Sequence, residues 1–124
     1  MQLTLLSSDS ELLDEKGVVR VSCQGEISRL DPDPAREPLR ALLGALVFGR
    51  KVLLNLEKAT YIDSSGVSWL VVCHKHFVQA KGELILYAVP PLVFQVLELM
   101  RLPLILPIAP DEAAARILAQ GGSR

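Results

Sequence analysis

Cysteine is scarce in this sequence. Only Cys23 and Cys73 occur among 124 residues, too few for a disulfide framework and without CxxC spacing. They read as buried thiols in a reducing compartment. Aromatic residues are scarce too, at 5%, so the core has to be aliphatic; the 50% hydrophobic content supplies one and excludes a disordered chain. An excess of either charge is also missing. The formal net charge is −1, with Lys and Arg scattered along the chain, and the basic stripe of a nucleic-acid binder is absent. No basic segment followed by an apolar run opens the sequence, which argues against a secretory signal. The apolar stretch 84–110 is interrupted by five prolines, Gln95, Glu98 and Arg101, a pattern that argues against a membrane span. These absences predict a cytoplasmic protein with no nucleic-acid partner and no direct membrane insertion.

The templates of catalysis are missing as well. There is no GxSxG elbow, no GxxxxGKS loop and no GxGxxG after a strand. His74 and His76 stand two apart on a predicted helix, so they point in different directions and do not form a joint metal site. Asp31 and Asp33 lie in a proline-rich loop and read as solvated turn residues. Asp111 and Glu112 have a sufficient role at a helix N-terminus. No nucleophile, base and orienting group come together. No enzyme, metal or cofactor is expected.

What is present is an alternation of strands and helices. Residues 2–6 are short and apolar enough for an edge strand, and residues 7–17 are polar and acidic enough for a loop. Residues 18–23 alternate as a strand closed by Gly25. The Asp31-Pro32-Asp33-Pro34 run excludes a helix interior. Pro38 suits a first helical turn, and Leu39, Leu42, Leu43 and Leu46 predict an amphipathic helix over residues 38–48, stopped by Gly49. Residues 52–56 are apolar nearly throughout, as in an internal strand, and residues 59–62 lead on to the Asp63 turn. Val67, Leu70, Val71, His74 and Val78 predict a second helix that Gly82 ends. Residues 84–88 form the next strand. Pro90 and Pro91 open a third helix, with Val93, Val96, Leu97 and Met100 facing inward. Residues 104–106, between two prolines, predict a last short strand. Asp111 caps a final helix that packs on Ala114, Ile117 and Leu118. The 124-residue length suffices for one core, so one domain is expected over 1–120, with a flexible tail at 121–124. Its class is α/β, with a mixed, mostly parallel β-sheet packed with about four α-helices.

The chain is organised around Asp63-Ser64-Ser65-Gly66, a polar turn where an apolar strand gives way to a helical pattern. Both serines fall at a helix N-terminus, where backbone N–H groups are open to an anion. One reading is local: Ser or Asp caps the helix and Gly66 relaxes the backbone. The other is a modifiable serine. A phosphate there adds about −1.5 to −2 charges at the positive end of the helix dipole, leaving the fold intact while repelling a partner packed over the turn.

Leu54-Asn55-Leu56, Ala59 to Val67 and Leu70 resemble the central signature of the STAS domain family, typified by bacterial anti-sigma factor antagonists. Gly25-Glu26-Ile27, Gly82 to Leu86 and Asp111-Glu112-Ala113 extend the resemblance over residues 18–118. Ser28 departs from it, standing where the family commonly has Asp or Thr. The resemblance implies a compact α/β domain and a phosphorylation-switched antagonist that regulates transcription. It binds an anti-sigma factor with serine kinase activity when unphosphorylated and lets go when phosphorylated, and a PP2C-type phosphatase resets it. The implied acceptor is Ser65, less readily Ser64, and the partner-binding turn is Asp63, Ser64, Ser65 and Gly66. The alternative is a non-phosphorylated STAS subunit of a lipid or ion transport or stress-signalling complex. A third possibility is a small-molecule or nucleotide binder that uses the helix N-terminus as its anion site.

Overall fold

A computed structural model describes residues 1–8, 18–30 and 36–120. Its strands are β1 (Gln2–Ser8), β2 (Val18–Ile27), β3 (Lys51–Ile62), β4 (Glu83–Tyr87) and β5 (Ile108–Ala109). Its helices are α1 (Pro38–Leu43), α2 (Ser64–Gln79), α3 (Pro91–Leu99) and α4 (Glu112–Ala119). The strands form one sheet in the order β1-β2-β3-β4-β5. β1 pairs antiparallel with β2, and every other neighbouring pair is parallel. The class expected from the sequence, mixed and mostly parallel with four α-helices, is the one observed.

The topology places the helices. Three successive crossovers that move the same way across a parallel sheet, each right-handed, put their helices on one face. Accordingly Leu39 of α1, Leu70, Cys73 and Phe77 of α2, and Val93 and Leu97 of α3 share one core with Val21, Leu54 and Leu86 of the sheet. α4 follows the last strand and covers the opposite face, where Ala115 and Ala119 pack on Leu53, Ile85 and Ala109. Arg20 of β2 ties that helix down through Glu112, at 3.1 Å.

Several elements differ from the sequence expectation. The helix expected over residues 38–48 breaks at Gly44, whose φ of 87° a helix cannot hold. A 3-10 helix, Ala45–Gly49, follows it. β2 does not close at Gly25 but bends there and runs on to Ile27, with register shifts against β3 on either side. Those irregularities let β3 continue as one strand from Lys51 to the Asp63 turn, joining two segments that the sequence reading separated. Residues 104–106 are not a strand: Leu102–Leu104 is a 3-10 turn. Pairing with β4 begins only after Pro107, at Ile108. The buried faces of α2 and α4 are shifted from those expected, whereas α3 buries Val93 and Leu97 as expected and leaves out only Met100. Val78, Met100 and Ile117 are exposed, whereas Cys73, Phe77, Ala115 and Ala119 are buried. The expected Asp31 to Pro34 loop, most of the residue 7–17 loop, and the tail at 121–124 lie outside the described residues.

One buried carboxylate links two neighbouring helices of the same layer. Glu37, only 6% exposed, is the N-cap of α1 and accepts from the backbone N–H groups of Leu39 and Arg40. Its Oε1 also accepts from Trp69 Nε1 at 2.6 Å and from the Cys73 thiol at 3.3 Å, both on α2. A buried carboxylate is tolerable only when its lone pairs are filled in this way. Burial holds the Cys73 thiol well above its ordinary range, with the Glu37 charge adding to the effect. Burial likewise pushes Cys23 up to about 12. Both thiols are protonated and inert at neutral pH.

Glu37→Ala is expected to lower stability by about 2–4 kcal/mol, because it strands buried N–H donors and removes a cap. Glu37→Gln, which keeps an acceptor, should lose less. Denaturant unfolding followed by Trp69 fluorescence measures both; equal losses would show that the carboxylate's second oxygen matters as much as the first.

Candidate functional site

The Asp63 turn lies where β3 ends and α2 begins, beside the end of β2. This is the carboxyl edge of the parallel strands, where α/β sheets commonly place their sites. Asp63 is the extended N-cap of α2; its Oδ1 accepts from the Gly66 N–H at 3.0 Å. Its own N–H donates to the Ile27 carbonyl at 3.2 Å, tying the turn to β2.

Gly66 makes that junction possible. A Cβ at this position would lie 2.3 Å from the Ile27 carbonyl oxygen and 2.7 Å from Ile62 Cγ1. The first obstacle is backbone and does not swing aside. The residue is therefore glycine because α2 starts in contact with the β2 backbone, not because the turn needs relaxing.

The close approach brings two further backbone donors to the turn. The Arg29 N–H reaches Asp63 Oδ2 at 3.4 Å, and the Leu30 N–H donates to Ser65 Oγ at 3.2 Å. Ser65 Oγ in turn donates to Asp63 Oδ1 at 2.7 Å. The hydroxyl is thus aimed from both sides, with its proton on a carboxylate and a lone pair on a peptide N–H. Ser64, one residue earlier, is exposed and its hydroxyl makes no hydrogen bond among the described residues. The geometry distinguishes two serines that the local sequence does not. The Ser65 hydroxyl bond, and after it the Gly66 N–H, hold the Asp63 carboxyl below its ordinary range. Asp63 is therefore ionised at neutral pH and serves as an acceptor and orienting group rather than a proton donor.

A family model for the STAS domain matches residues 12–115. The chain belongs to the STAS domain family. A STAS anti-sigma factor antagonist domain protein from Planctomyces limnophilus superposes with a TM-score of 0.67 at 21% identity, covering 95% of this chain and 97% of that one. An anti-sigma factor antagonist from Mycobacterium paratuberculosis gives 0.68 at 21%, covering 96% and 95%. The murine anion transporter Slc26a9 gives 0.71 at 14%, with 86% of this chain matching only 18% of that one. At these identities the likeness is one of fold. No helix among the described residues is long and apolar enough to cross a membrane.

All four residues singled out in the sequence of this STAS domain, Asp63, Ser64, Ser65 and Gly66, converge on one turn. The sequence reading missed the Arg29–Leu30 segment, which supplies two of the site's donors. It also missed Glu37, whose position just before Pro38 was a usable signal for a helix cap.

Gly66→Ala is expected to cost at least about 2 kcal/mol, because backbone has to move; thermal unfolding measures it, and an unchanged Tm would refute the close approach. Ser65→Ala should let Asp63 titrate nearer its ordinary 3.8, as carboxyl-detected NMR would show. The sign follows from linkage. The Asp63 carboxyl is depressed in the folded state, so its stabilising contribution is present above its unfolded pKa and is lost as pH falls through the folded value. In Ser65→Ala that contribution should be smaller.

Proposed function

We propose that this protein is a phosphorylation-switched antagonist of an anti-sigma factor. Unphosphorylated, it binds an anti-sigma factor that is also a serine kinase, and thereby regulates transcription. Phosphorylation of Ser65 releases that partner, and a PP2C-type phosphatase restores the binding form. The protein is not itself an enzyme, and it acts in the cytoplasm through protein–protein contact.

The observation that carries this reading is the Ser65 hydroxyl, held in the first turn of α2 between Asp63 Oδ1 and the Leu30 N–H. A kinase needs an oriented acceptor, and fixing the oxygen supplies much of what catalysis by positioning requires. In the transfer, Ser65 Oγ bonds the γ-phosphorus of ATP, the bond to the bridging oxygen breaks, and ADP leaves. The hydroxyl proton passes to a base on the kinase, since Asp63 is too weak a base to keep it. The product carries about −1.5 to −2 charges beside an ionised carboxylate. A partner surface closed over the turn then faces a charge it has to desolvate. The helix N-terminus offsets part of that charge inside the protein, so the fold persists.

The likeness to part of an anion transporter favours a second reading, a constitutive subunit of a transport complex in which Asp63 to Gly66 only start a helix. Intact-mass and phosphopeptide analysis of protein from its native cells separates the two. The switch predicts one phosphate on wild type, mapped to Ser65 and absent from Ser65→Ala. Ser65→Ala bait should retain the kinase, and Ser65→Asp bait should lose it. No phosphate under growth, stress and stationary conditions would hand the case to the subunit reading.

A further inference from the structure

The same turn carries a cation with no assigned role. Arg29 lies two residues beyond the end of β2, is exposed, and holds a left-handed backbone with φ of 55°. Its backbone N–H is bound to Asp63 Oδ2, but its guanidinium makes no hydrogen bond or ion pair among the described residues. The peptide nitrogens on either side of its Cα are the two that touch the site: its own N–H on Asp63, and the Leu30 N–H on Ser65 Oγ. The Cα is thereby pinned beside Ser65, and the three-methylene stem is long enough to bring the guanidinium over a group attached to Oγ. Among the described residues, the charged side chain bonded into this turn is the Asp63 carboxylate. Glu26, near the end of β2, is exposed, and its Oε1 accepts from Ser28 Oγ at 3.4 Å.

We propose that Arg29 is the phosphate-gripping residue of this turn, closing its guanidinium on a phosphoryl group carried by Ser65. The assignment rests on Ser65 as the modified residue. Without that guanidinium, a phosphate dianion on Ser65 would stand beside the Asp63 carboxylate, offset by the α2 terminus and the Leu30 N–H. A guanidinium is the side chain best matched to phosphate oxygens, because two of its N–H groups meet two oxygens at once. The grip has a functional consequence. The phosphorylated turn becomes an internally paired surface rather than a bare dianion, so the released form persists until a phosphatase displaces Arg29. Arg29 is a positioning residue and takes no part in the transfer itself.

The test needs no kinase. Phosphoserine is installed genetically at position 65 of the full chain, and its second ionisation is followed by 31P NMR in three backgrounds: Arg29, Arg29→Gln and Arg29→Lys. A nearby guanidinium favours the dianion, so the second pKa should rise by about half a unit in Arg29→Gln, with Arg29→Lys in between. The difference should shrink as salt rises from about 0.05 to 0.5 M. Matching amide spectra confirm that the variants are folded, as the exposed side chain and retained backbone N–H predict. Equal pKa values in all three backgrounds would overturn the grip. So would a second pKa that falls in Arg29→Gln, since the guanidinium would then be disfavouring the dianion. Neither result depends on whether cells phosphorylate Ser65, so failure of the switch and failure of the grip remain separable.

Discussion

The contact between Gly66 and the end of β2 is the constraint on which the site depends. Three things follow from letting the first turn of α2 touch the Ile27 carbonyl. Asp63 reaches that carbonyl with its own N–H. The chain leaving β2 then passes close enough for Arg29 and Leu30 to donate to Asp63 and Ser65. The Ser65 hydroxyl, which would otherwise rotate freely, is left with one orientation. A side chain as small as a methyl group at residue 66 would push the helix off the strand and undo all three. The site is thus a property of two strand ends and one helix start held at close range, and not of a four-residue motif alone.

A second junction keeps that range fixed from the other side. Glu37 caps α1 and at the same time binds Trp69 and Cys73 of α2. It fixes the height of α1 against α2, and α1 is the element to which the chain leaving β2 leads. Buried carboxylates are costly unless every lone pair is used, and this one meets four donors. The arrangement tolerates few alternatives, which is why a charged residue in an aliphatic core adds definition to the fold.

Much of this was legible in the sequence, and the failures have physical causes. Strand and helix order followed from periodicity, since crossover helices and internal strands differ in both length and pattern. The Asp63 turn stood out because a polar cluster separates two apolar elements. The inward face of α2 was placed about one residue off, because Trp69 to Cys73 is apolar almost all round and no single stripe stands out in the letters. Val78 and Ile117 are exposed for a related reason, since a hydrophobic letter near a helix end does not say which side the sheet is on. The close approach at Gly66 and the four-donor cage around Glu37 join segments far apart in the chain, so local reading had no access to them. Gly44 and the β3 irregularities broke or joined elements through single backbone angles and shifts of register that composition does not encode.

The rigidity of this turn sets what a modification there can accomplish. A hydroxyl already fixed by two hydrogen bonds gains charge without having to gain order, so the proposed switch would act through the surface potential and not through refolding. Charge at a surface is felt over about 8–10 Å at ordinary ionic strength. A partner docked on α4 would meet the face of the sheet opposite α1 to α3, whereas a partner over the start of α2 would meet the added charge directly. The proposed control by Ser65 would thus act most directly on a partner seated over the start of α2, next to Ser64 and Arg29. Under that constraint a serine that is merely accessible is a poorer control point than one that is both accessible and held. Ser65, half-buried and doubly bonded, meets both conditions, whereas Ser64 meets only the first.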